Sequence, residues 1–149
     1  MLKAKAAVLK GLGNWTYDEI NIPEPNKDQA IIKILKSGIC STDVVRSMVF
    51  GFYSYPIVPG HEMFGYVYKL GSKVNGMKEG DKVCVYPLIT KCTDDGCCGG
   101  VHSVYGITKA PNLCSSYDFL GSRSHGGYSE YVSSPIKNLV KVPKNIDDN

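Results

Sequence analysis

A mainly β fold, a barrel or sandwich with few short helices, is what this sequence predicts, on three observations. Short runs rich in β-branched and aromatic residues recur along the chain, clusters of Gly, Pro, Asn and Asp separate them, and no long helical pattern intervenes. At 149 residues the chain has the length of one domain rather than of two sizeable ones. Lys5 to Leu9 is the first run, and Gly11-Leu12-Gly13-Asn14 after it reads as a hairpin turn. Pro23 and Pro25 mark a turn before the run Ala30 to Leu35. Ser41 to Met48 is the one expected helix, with Ser41 or Thr42 as N-cap and Asp43 in its first turn. Met63 to Leu70 is the longest apolar run. Gly71, Gly76 and Gly80 then bracket a loop that leads into Lys82 to Tyr86. Cys84 alternates there with Val83 and Val85 and is expected to be a buried small hydrophobe. Tyr128 to Val132 and Leu139 to Val142 complete the strands.

Composition narrows the function classes. Hydrophobic residues make up 43% and charged residues 21%, enough for a packed core. Seventeen Lys+Arg against fourteen Asp+Glu leave a net charge of +3 with no basic block, which argues against nucleic acid and against an anionic membrane as partners. No apolar run approaches the roughly 18 residues of a membrane span. Lysines interrupt the N-terminal residues, where no small-residue cleavage site follows, so a cytoplasmic protein is expected. Two glycine patterns fail as phosphate cradles. The Gly11 segment lacks the third glycine of a dinucleotide fingerprint, and Gly121 to Gly127 lacks the Lys-Ser/Thr ending of a phosphate loop.

Six cysteines in a reducing compartment shift the expectation from disulfides toward metal or catalysis. Cys40-Ser41-Thr42-Asp43 is followed, eighteen positions after Asp43, by His61-Glu62. Thiolate and imidazole are the ligands that zinc prefers over magnesium or calcium, and two or three protein ligands with an open position describe a catalytic site. Thr42 is near enough to Cys40 to place a hydroxyl beside a metal-bound oxygen. Asp43 and Glu62 can orient the ligands, or Glu62 can bind directly. The alternative is a buried cysteine, a core histidine and a surface glutamate.

Cys40-Ser41-Thr42-Asp43, Gly60-His61-Glu62-Met63-Phe64-Gly65 and Gly80-Asp81-Lys82-Val83 resemble, in order and spacing, the medium-chain zinc-dependent alcohol and polyol dehydrogenases. Pro87-Leu88-Ile89 and Gly126-Gly127-Tyr128-Ser129-Glu130-Tyr131-Val132 continue the resemblance over essentially the whole chain. Tyr117 to Arg123 is most similar to the sugar-alcohol phosphate dehydrogenases, galactitol-1-phosphate dehydrogenase among them. The resemblance implies a GroES-like, partly open β-barrel catalytic domain over residues 1–149. It also implies a separate Rossmann domain for NAD(P) that is absent from this chain, hence a fragment inactive alone. Cys40 and His61 would hold zinc, Glu62 would be a direct ligand or a partner of one, and Thr42 would pass the substrate's hydroxyl proton toward solvent. The complete protein would be a homo-oligomer acting on a small alcohol or polyol.

The cysteine cluster departs from that family. Cys92-x4-Cys97-Cys98-x15-Cys114 keeps four thiols with altered spacing, so the expectation is either a second, structural zinc or a loop of unpaired thiols with His102 nearby. Arg123, between Ser122 and Ser124, reads as a fork for a substrate phosphate or as a solvated surface charge. Phe50, Phe52 and Tyr53 read as the wall of a substrate cleft or as ordinary packing. Two other functions fit less of the pattern: a free-standing zinc-binding GroES-like interaction module, and a quinone-reductase-like relative without metal, against which Cys40 and His61 argue.

Overall fold

The computed structural model describes residues 1–52, 54–90 and 117–148, and it is built mainly of strands. β1 (Leu2–Gly11) and β2 (Asn14–Ile22) form an antiparallel hairpin whose register closes at Gly11 opposite Asn14. Leu12 and Gly13 are left as the loop, and Gly13 takes φ +69°, which is where the turn requires glycine. The expected hairpin turn is therefore present, but β2 is a strand that the sequence reading did not predict. Its residues alternate between exposed and half-buried, so it lacks the apolar run by which the other strands announce themselves.

The principal sheet has the order β8–β3–β4–β5–β9, antiparallel at every pairing. Its strands are β3 (Gln29–Gly38), β4 (Glu62–Leu70), β5 (Lys82–Val85), β8 (Tyr131–Pro135) and β9 (Leu139–Lys141). β6 (Leu88–Ile89) pairs with β7 (Asp118–Phe119) as a short separate ladder. β3 is buried on both faces over Ala30 to Ile32. Ala30 and Ile32 join Met63, Val67, Val83, Val85, Leu120, Val132 and Leu139 in the main core, while Ile31 packs on the other side against Ala4 and Ile22 of the hairpin. The hairpin is stitched to the remainder by backbone bonds rather than by a continuous ladder. Ala7 N–H donates to Tyr128, Glu130 N–H to Lys5, and Leu9 exchanges two bonds with Ile57. The result is a curved β structure without complete closure, as expected of a partly open barrel.

Two expectations need correction. Cys84 is exposed, because it faces away from the core that Val83 and Val85 enter. The helix α1 covers only Ser41–Val45, and one wider turn, Arg46–Phe50, continues it. Its N-cap is Cys40 rather than Ser41 or Thr42, and Asp43 reaches back from the third helical position to accept the Cys40 amide at 3.0 Å. Cys92, Cys97, Cys98 and Cys114, with His102 and Tyr53, lie outside the described residues. Among the described residues, no helix is long and apolar enough to cross a membrane.

Candidate metal centre

The register of β3 with β4 places Gly38, the last residue of one strand, opposite Glu62, the first residue of the other. Cys40 lies two residues beyond the end of β3 and His61 one residue before the start of β4, so both leave the sheet at the same end. Register irregularities between Ile31 and Ile32 and between Ile34 and Lys36 twist β3 on its way there. One ligand atom each from Cys40, His61 and Glu62 then lies within 4.8 Å of the others. A sulfur, an imidazole nitrogen and a carboxylate oxygen at that separation fit a tetrahedral ion with one position left open.

Asp43 organises this set. Its side chain is 5% exposed, and a carboxylate so buried must be satisfied by donors. Oδ2 accepts the Cys40 amide at 3.0 Å and the Tyr128 hydroxyl at 2.8 Å, while Oδ1 lies 3.4 Å from His61 Nδ1. An acidic partner on Nδ1 puts the proton there and leaves Nε2 as the nitrogen free to bind a metal. The Cys40 thiol is held below the ordinary thiol range, chiefly by the Thr42 hydroxyl and then by the Thr42 amide and His61. Burial, followed by the Asp43 hydrogen bond, pushes the Tyr128 phenol far above its usual range, so it remains a donor.

A cleft of about 330 Å³ opens beside these groups, lined by Cys40, Thr42, Arg46, Phe52, Tyr117 and Phe119 among others. Phe119 packs against His61 with ring centroids 5.7 Å apart. Thr42 is solvent-exposed within the cleft. Of the aromatic residues singled out in the sequence, Phe52 is in the lining and Phe50 is 81% exposed. Arg123 stacks on Tyr117, 4.3 Å from its ring centroid, and donates to its hydroxyl at 3.3 Å.

Three participants were not named by sequence reasoning. Arg46 faces the cleft with its guanidinium 4.8 Å from the Phe52 ring. Its spacing of three and four residues from Asp43 and Thr42 on the expected helix was the available signal. Gly38 leaves the space that the Glu62 carboxylate fills, and an added Cβ would meet Glu62 Oε2. Tyr128 lies in the Gly126 to Val132 motif, but nothing local points to its partner, which is 85 residues away.

The family model for the alcohol dehydrogenase GroES-like domain matches residues 26–144. Galactitol 1-phosphate 5-dehydrogenase of Escherichia coli K12 is 37% identical over 123 residues, which are 82% of this chain and 33% of that protein. A protein from Sinorhizobium meliloti 1021 assigned as a zinc-binding dehydrogenase, solved bound to NADP, superposes with a TM-score of 0.84 at 30% identity. That match covers 99% of this chain and 41% of the other. A cobalt- and zinc-bound thermostable alcohol dehydrogenase from Pyrobaculum aerophilum gives 0.77 at 27% identity, over 98% and 43% of the two chains. The chain thus spans about a third of the length of the first curated relative.

Proposed function

The chain belongs to the alcohol dehydrogenase GroES-like domain family, and from that premise we propose that residues 1–149 are the metal-holding catalytic domain of a zinc-dependent alcohol or polyol dehydrogenase. The observation that carries the reading is the convergence of Cys40, His61 and Glu62 within 4.8 Å at the side of a cleft. These three residues would hold the ion, which when bound would polarise a substrate hydroxyl as a Lewis acid. The chain's own groups do the rest. Asp43 orients the His61 ring and the Cys40 backbone. Thr42, exposed in the cleft, accepts the hydroxyl proton and hands it to solvent. Phe52 and Phe119 exclude water around the carbon that gives up hydride.

The hydride acceptor in this reading is NAD(P), held by a domain outside these 149 residues, consistent with a match that covers 33% of the curated relative. Within the substrate class we favour sugar-alcohol phosphates. The likeness to galactitol 1-phosphate 5-dehydrogenase supports this, as does Arg123, which stacks on a tyrosine of the cleft wall and can fork onto a phosphate. Cys92, Cys97, Cys98 and Cys114 would hold a second, structural ion.

Zinc content decides the central claim. Protein purified without chelators should lose one equivalent of zinc per chain on combining Cys40→Ala with His61→Ala. An unchanged content in that double variant would sink the reading, whatever the loop cysteines bind.

A further inference from the structure

We infer that the Tyr128 hydroxyl is a positioning group for the metal centre, holding the Asp43 carboxylate in the orientation that sets His61. The inference rests on Cys40, His61 and Glu62 being the ligands, and it assigns a role to a residue in none of those positions.

Tyr128 sits where the ligand-bearing segments meet. Its amide donates to Pro59 at 3.0 Å and its carbonyl accepts from Ala7 at 2.8 Å, so its backbone is fixed between β1 and the segment that leads into His61. Its ring lies over Gly60, which has φ +92° and whose added Cβ would come within 2.5 Å of that ring. Glycine is therefore required there twice, for its conformation and for the close approach. From this seat the hydroxyl crosses to the other segment, donating to Asp43 Oδ2 at 2.8 Å, with the Gly38 carbonyl oxygen 3.2 Å away.

The Asp43 carboxylate would otherwise rotate about its last side-chain bond. Two donors on Oδ2, the Cys40 amide and the Tyr128 hydroxyl, hold that oxygen on the far side and leave Oδ1 directed at His61 Nδ1. Without the phenol, Oδ2 keeps one donor, and a buried oxygen short of a partner reorients toward whatever donor it can reach. The imidazole then loses the acceptor that fixes its tautomer, and outer partners of this kind typically contribute about ten- to a hundredfold in metal affinity.

Tyr128→Phe keeps the ring, its contact with Trp15 at 6.5 Å and both backbone bonds, and removes only the hydroxyl. Cobalt titration of the metal-free chain is the readout. The signal is the thiolate-to-cobalt absorption that is absent from the Cys40→Ala/His61→Ala variant. We expect Tyr128→Phe to weaken cobalt binding about tenfold, and to have little further effect once Asp43→Asn is present. Wild-type affinity in Tyr128→Phe overturns the proposal, as does a full tenfold loss persisting in the Asp43→Asn background. A lowered melting temperature with unchanged affinity per folded chain also overturns it, because the hydroxyl would then serve only the fold. Wild-type protein that shows no such absorption would instead fail the metal reading of the site itself.

Discussion

At the scale of single residues, the candidate site turns on a thiol held below its ordinary range. Cys40 lies at the start of α1, where the Thr42 hydroxyl and amide both reach its sulfur, and these bonds favour the charged form. Because the shift is downward, the thiolate is present at lower pH than in an ordinary cysteine. Removing its largest cause should move it back up. Thr42→Val in the metal-free chain should therefore raise the pH at which Cys40 becomes alkylated by iodoacetamide and slow its labelling severalfold near neutral pH. Exposed Cys84, followed by peptide mass spectrometry in the same sample, should be unaffected. If the Cys40 profile does not move, the hydroxyl does not support the thiolate.

At the scale of elements, the antiparallel pair β3–β4 makes the site by ending both strands at one place. Gly38 opposite Glu62 is the contact that matters. A side chain at Gly38 would collide first with the carboxylate end of Glu62, and that end can swing away more cheaply than backbone can move. Gly38→Ala should accordingly melt close to wild type while binding zinc less tightly, by about tenfold in a chelator competition, with Glu62 pushed out of the ligand set. Equal affinity in the two proteins would mean that Glu62 stands outside the coordination sphere and that Cys40 and His61 hold the ion without it.

At the scale of the whole molecule, β3 is the strand on which both halves of the core are built. Ile32 (0% exposed) enters the main core, and Ile31 faces the hairpin. Truncating a fully buried isoleucine removes its transfer free energy and leaves a cavity, together about 2–5 kcal/mol. Ile32→Ala should lower the unfolding free energy by an amount in that range in urea denaturation. Ile39→Ser, at a site 76% exposed just beyond the same strand, should change it by less than about 0.5 kcal/mol. Comparable losses at both positions would mean that Ile39 is covered in solution.

The sequence by itself determined the family and the strand-rich class and singled out Cys40 and His61 as candidates, because each rests on information local in the chain. Ligand chemistry belongs to residue type, motif spacing is read along the chain, and a buried strand such as β3 or β4 carries its own apolar run. Tertiary structure alone decided the rest. A period of two told that Cys84 points away from Val83 and Val85, but whether a second layer covers that side depends on where the hairpin lies, and it leaves Cys84 exposed. β2 escaped notice for a related reason. Its residues before Ile22 alternate between exposed and half-buried, so no continuous apolar run marks it, and its pairing is supplied by β1 across the turn. The contacts among Tyr128, Asp43 and His61 join positions far apart in the chain. The sheet register and the backbone bonds of residues 57–60 and 126–130 bring them together, and a side chain's chemistry carries no record of which distant partner the fold will bring to it.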